Sequence, residues 1–129
     1  MNKVIISGKL VRDPEMRYTE SGKATASFSL AVWKPSRNKN ENYTFFRCAA
    51  WNENAERVMK ILKKGDYIIV DGSLNVYDYV DKEGVKKTLY TVFCLYFDKV
   101  PSYAKTGDDP QEPQEEISEN VSYEDDLPF

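Results

Sequence analysis

Apolar and polar residues alternate along most of this chain. From Asn2 to Val11, Val4, Ile6 and Leu10 alternate with Lys3, Ser7 and Lys9, the period-two pattern of a strand with one buried face. Asp13-Pro14 turns the chain, Met16 to Thr19 is a short extended piece, and Ser21-Gly22 turns it again. Ala24 to Trp33 then sets Ala26, Phe28, Leu30 and Val32 against Thr25, Ser27, Ser29 and Ala31, which predicts a half-buried strand. Lys34 to Asn42 is polar, with Pro35 and three asparagines, and predicts a loop. Tyr43 to Trp51 resumes strand character. Phe45 and Phe46 are neighbours in it, so one must point away from the core unless both faces are covered.

The period changes after Asn52. Ala55, Val58, Met59 and Leu62 fit the i, i+3, i+4, i+7 spacing of an amphipathic helix. Asn52 is placed to cap it, Glu53 and Glu56 in the first turn, Lys63 and Lys64 in the last, and Gly65 to end it, which suits both capping and the helix dipole. Tyr67 to Val80 is extended again, with Gly72 a bulge or bend. Asp81-Lys82-Glu83-Gly84 forms a polar hairpin tip, and Thr88 to Phe97 returns as a strand apolar on both faces. Strands, one helix and a closing hairpin within about 100 residues predict an all-β OB-fold. This is a five-stranded Greek-key barrel with its helix between strands 3 and 4. A β-sandwich is the rival architecture, and it leaves the helix unexplained.

Charge divides the chain in two. All 18 basic residues lie between Lys3 and Lys105. Twelve acids share that stretch, an excess of six positive charges, while nine acids and no base follow Lys105. A basic body suits a polyanion, and the acidic segment has a separate task. Residues 1–105 are therefore the expected binding domain, 106–124 a disordered acidic linker and 125–129 a distinct tip. Asp108 to Glu116 has two prolines, five acids and no apolar residue, too little to offset the entropy of ordering.

Histidine is absent, which removes the commonest general base and metal ligand. No cofactor is expected. Cys48 and Cys94 sit far apart in apolar runs. They read as small core residues in a reducing compartment, with a disulfide or a metal pair as the alternatives. Val4-Ile5-Ile6 is broken at once by Ser7, Gly8 and Lys9, so no targeting segment is expected. No apolar run approaches the ~18 residues of a membrane span. The expected location is the cytoplasm, at the nucleoid, with no membrane partner.

Aromatic and basic residues interleave. Trp33, Tyr43, Phe45, Phe46, Trp51, Tyr77 and Tyr79 are mixed with Lys34, Arg37, Lys39, Arg47, Lys82, Lys86 and Lys87. Single-stranded nucleic acid is held by such a pairing of devices, bases stacking on aromatic faces while cations follow the phosphates. Core packing accounts for any one of these aromatics. It accounts less well for the set, because one small barrel cannot bury them all.

Several segments taken in order resemble the bacterial single-stranded-DNA-binding protein family. They are Asn2-Lys3-Val4-Ile5 with Gly8, Leu10 and Arg12-Asp13-Pro14-Glu15-Met16-Arg17-Tyr18, then Gly22 through Val32. Next come Phe45-x-Arg47-Cys48-x-x-Trp51 with Ala55-Glu56, Leu62-Lys63-Lys64-Gly65, and Asp71-Gly72-x-Leu74. The resemblance implies a homotetramer of OB-folds that wraps single-stranded DNA. It also implies stacking at Phe45, Trp51 and Tyr79, with Trp33 beside them. Asn75-Val76-Tyr77-Asp78-Tyr79 departs from the family's usually basic strand here, which leaves fewer phosphate contacts and an additional stack at Tyr77. The stretch from Thr106 to Glu124 is shorter and more acidic than the family's usual Gly/Gln-rich linker.

Asp125-Asp126-Leu127-Pro128-Phe129 completes the resemblance. Two carboxylates precede an apolar group stiffened by proline, and Phe129 adds its α-carboxylate. Such a peptide suits a shallow apolar pocket rimmed by basic residues, and in the family this tip recruits replication and repair proteins. A metal-dependent nuclease is the enzymatic rival. Its acid pairs would have to come from the flexible segment, which cannot hold two metals at the fixed ~3.5–4 Å separation that chemistry requires. An RNA-binding OB module is a second rival, since it uses the same stacking physics; the acidic Leu-Pro-Phe tip argues against it, and a primosome or phage accessory protein of the same fold is a third reading. No enzymatic activity is expected.

Overall fold

The computed structural model describes residues 1–35, 37 and 42–101. The expected disordered linker, the tip Asp125–Phe129 and Lys39 lie outside the described residues. Seven elements follow in order: β1 Val4–Leu10, β2 Glu15–Tyr18, β3 Ala24–Trp33, β4 Tyr43–Trp51, α1 Glu53–Ile61, β5 Tyr67–Val80 and β6 Lys86–Lys99. The sheet runs β1-β5-β6-β4-β3-β2, and β1 also pairs with β3 through Lys9↔Ala31 and Leu10↔Leu30. That last pairing closes the sheet into a barrel. With the four-residue β2 counted as a side piece, α1 stands between the third and fourth long strands, as an OB-fold requires.

The barrel interior takes one side chain in two from each strand. Phe28, Leu30, Cys48, Ala50, Ile68, Val70, Val92 and Cys94 are buried there, with Phe46 packed against them. A β-bulge at Asp71/Gly72 changes the register between β5 and β6, so Val92 and Cys94 point inward before it and Phe97 after it. Gly72 permits the bulge because a Cβ there would overlap the carbonyl group of Phe93. Helix α1 covers one end of the barrel with Ala55 and Val58, and Arg57 lies over the Phe97 ring at 5.0 Å.

The helix ends differ from expectation. Asn52 occupies the N-cap position, but its side chain makes no capping hydrogen bond, and its backbone is at φ 53°, ψ −120°. The sharp exit from β4 imposes this. The Asn52 N–H donates to the Ala24 carbonyl at 2.8 Å while its own carbonyl accepts from the Glu56 N–H at 3.1 Å. At the other end the helix stops at Ile61, with Leu62 already extended. Gly65 (φ 91°) instead serves a tight turn in which the Asp66 N–H donates to the Lys63 carbonyl. Lys63 and Lys64 therefore lie beyond the helix, and Lys60 is the cation in its last turn.

Strand β3 is buried on both faces rather than one: Thr25, Ser29 and Ala31 are as enclosed as Phe28 and Leu30. The cross-strand partners of Thr25, Ser29 and Ala31 on β4 are the larger Trp51, Arg47 and Phe45. Both thiols are free and buried. Burial pushes the Cys48 thiol well up, and it pushes Cys94 up to about 12.

Candidate nucleic-acid interface

The strand register gathers one outer face of the sheet. Residues paired directly across neighbouring strands share a face, so the rows can be read across. Arg17, Thr25 and Trp51 form one row; Ser27, Ala49, Phe93 and Ser73 the next; Ser29, Arg47, Thr91 and Asn75 the third. Ala31 pairs with Phe45 and Trp33 with Tyr43 at one side. Tyr77 pairs with Leu89 and Tyr79 with Lys87 along the β5–β6 ribbon. Large aromatics thus surround a floor of serine, threonine and alanine, with the Arg47 guanidinium arising from its middle.

Phe45 and Phe46 divide as strand geometry demands. Phe46 packs on the core and Phe45 takes the outer face. Trp33 is the most open of the site aromatics at 60% exposure, whereas Phe45, Trp51, Tyr77 and Tyr79 are half-buried. Partial burial on a sheet face leaves a ring side for stacking while neighbours fix its orientation.

Trp33, Phe45, Arg47, Trp51, Tyr77, Tyr79 and Lys87 therefore come together. Lys34 and Arg37 are exposed just past Trp33, where the Lys34 N–H donates to the Asn42 carbonyl across the loop base at 2.8 Å. Lys82 is exposed in the hairpin tip. Lys86 is set apart: it pairs with Val80, on the face of the ribbon opposite Tyr79 and Lys87.

Asp81 organises that tip. Its Oδ1 accepts from the N–H groups of Glu83 and Val85, each at 2.9 Å, and its Oδ2 lies 3.4 Å from Lys87 Nζ. The Val85 N–H bond, with those from Glu83 and Lys87, holds the carboxyl below its usual range. Some hydroxyls are less well served. Those of Thr25 and Thr91 are buried in the outer face with no hydrogen-bond partner.

One contributor escaped the sequence pattern. Phe93 is fully buried, yet it lies outside the barrel's core cluster. Its ring centroid is 6.1 Å from that of Trp51, with planes at 84°, and 6.1 Å from that of Tyr77, at 50°. Strand β6 is apolar on both faces, so nothing local marks Phe93 as belonging to this one. Among the described residues no group of three metal-ligating side chains occurs, and no helix is long and apolar enough to cross a membrane.

Residues 1–99 match the Single-strand binding protein family. The chain belongs to that family. It is 42% identical over 86 residues to a single-stranded DNA-binding protein of Halalkalibacterium halodurans, covering 65% of this chain and 51% of the relative. Against single-stranded DNA-binding protein A of Bacillus subtilis it is 40% identical over 86 residues, covering 65% and 50%. Against the Bacillus cereus protein it is 41% identical over 97 residues, covering 74% and 56%. The matched segment spans about half the length of these curated relatives. The family match takes in every strand described above and thus the whole outer face.

Proposed function

We propose that this chain binds and protects single-stranded DNA, largely without sequence preference and without catalysing a reaction. The observation that carries the proposal is the shared outer face, where Trp33, Phe45, Trp51, Tyr77 and Tyr79 stand around Arg47 with Lys87 at the margin. Every base has a stackable face, so aromatic platforms accept any sequence, while cations track the phosphates. Residues 1–105 form the binding domain in this account, working at the nucleoid in the cytoplasm. The names of the related proteins agree with DNA as the ligand. A competition titration tests it. Poly(dT) should bind tightly and with strong salt dependence, and poly(U) and duplex DNA should displace it poorly. Displacement by duplex or poly(U) at equal nucleotide concentration contradicts the proposal.

Assembly as a homotetramer belongs to the same account. Strand β1 meets β3 only at Lys9 and Leu10, so Val4–Gly8 is paired on one side alone, with β5. Beside it Ile5 and Tyr96, joined in one row through Asp71, are 58% and 71% exposed. Edge strands and apolar outer faces of this kind are protected by pairing with a second copy. Light scattering should give four times the 14.9 kDa chain mass; the mass of a single chain contradicts it.

Asp125–Phe129 is the proposed recruitment tip for replication, recombination and repair proteins, carried by the acidic stretch 106–124. A tethered segment with nine acids reaches a roughly millimolar effective concentration at the basic body. Removing 106–129 should therefore tighten DNA binding modestly at low salt, with the gain fading as salt rises. Deleting Phe129 alone should spare DNA binding and abolish capture of helicase, nuclease or polymerase-accessory partners. Retained partners would refute the tip's role.

A further inference from the structure

The Trp51 and Tyr77 rings rest on a common support. Along β6, Phe93 pairs with Ala49 of β4 and Ser73 of β5. Trp51 lies two residues beyond Ala49 on β4, and Tyr77 lies four residues beyond Ser73 on β5. Strands β4 and β6 run parallel while β5 runs against them, so the two rings approach Phe93 from opposite ends. Both centroids fall 6.1 Å from its own, within the 4.5–7 Å range of favourable aromatic pairs. Phe93 makes these contacts while fully buried and outside the barrel core. A large side chain facing outward on a sheet reaches zero exposure only where neighbours cover it, and the ring contacts show Trp51 and Tyr77 doing so.

We infer that Phe93 is a positioning residue for nucleic-acid stacking, a buried ring that fixes Trp51 and Tyr77 as one two-part wall. The inference rests on the single-stranded DNA proposal and deepens it. A stacking ring that rotates freely loses orientational entropy when a base arrives; one held edge-to-face against a fixed ring has lost it already. Because both rings share the support, a base stacked on one also steadies the other. Phe93 itself touches no base.

Two measurements on the full chain test this with oligo(dT) as the probe. First, Phe93→Met, which keeps most of the volume but removes the ring, and Phe93→Leu should each weaken binding by about 2- to 10-fold, the range of one lost aromatic pair. The same Phe93 substitutions made in Trp51→Ala/Tyr77→Ala protein should then cost nothing further. A merely structural role for Phe93 predicts equal losses in both backgrounds, and that result overturns the inference. Second, with Phe93 intact, Trp51→Ala and Tyr77→Ala should combine non-additively in a double-mutant cycle; additive losses overturn it even where a Phe93 variant fails to fold. Wild-type protein that ignores oligo(dT) removes the DNA proposal itself. Wild-type binding with additive losses leaves that proposal standing and removes only the role of Phe93.

Discussion

Lys87 Nζ lies 3.4 Å from Asp81 Oδ2 across the tip of the β5–β6 ribbon. The same carboxylate accepts the Glu83 and Val85 N–H groups, so one side chain both shapes the turn and holds a cation of the candidate interface. The folded protein lowers the Asp81 pKa, and the sign of the pH effect follows. Its contribution is complete above the unfolded value of about 3.9 and is lost as pH falls through the lower folded value. The Glu83 and Val85 amide resonances should move together as acid is added, with a midpoint below that of a free aspartate. A midpoint at or above the free value contradicts the arrangement.

Lys86 and Lys87 are adjacent in sequence but lie on opposite faces of the ribbon. Lys87→Ala should reduce the slope of log affinity against log salt by about 0.7, the value for one phosphate contact on a single strand. Lys86→Ala should change it by less. Equal effects would mean that DNA does not distinguish the two faces of the ribbon.

Thr91 is wholly buried in the outer face, and its hydroxyl has no hydrogen-bond partner. An unsatisfied buried hydroxyl costs about 1–3 kcal/mol. Thr91→Val keeps the shape without the polar atom, and it should raise stability by about 1 kcal/mol. Urea unfolding at fixed protein concentration measures this, and a loss of stability would show that the hydroxyl is satisfied in solution.

Cys48 and Cys94 are buried, and burial raises both thiol pKa values. The thiolate is the reactive form. Native protein at pH 8 should therefore react slowly with a thiol reagent, and two thiols should appear at once in denaturant. Rapid labelling of the native protein would show that the barrel opens far more readily than its packing implies.

Much of this fold is legible in the chain. Ala24–Trp33 and Tyr43–Trp51 announce β3 and β4 to the residue, the first by its alternation and the second by its aromatic strand character between a polar loop and the start of the helix period. The helix period is equally plain from Ala55 to Leu62. Its ends are not, since Asn52 and Gly65 answer to demands from distant chain. Asn52 bonds to Ala24 of β3, and the Gly65 N–H donates to the Leu10 carbonyl. The site divides in the same way. Alternation shows that Phe45 and Phe46 must face opposite ways, whereas Lys86 and Lys87, read as one basic pair ahead of a strand starting at Thr88, are separated only by the pairing of Val80 with Lys86 and of Tyr79 with Lys87. The parallel pairing of β4 with β6 joins residues more than forty positions apart in sequence, and no local pattern contains it. That pairing brings the Phe93 ring against Trp51, a contact visible only in three dimensions.

The two tryptophans, Trp33 and Trp51, both belong to the outer face and report directly on bases stacking there. Titration with oligo(dT) should quench much of the intrinsic fluorescence. In the same titration Phe45→Ala and Trp51→Ala should each cost about 1–3 kcal/mol of binding, with unfolding midpoints close to wild type. Unchanged affinity in both variants, with both folded, would contradict the account.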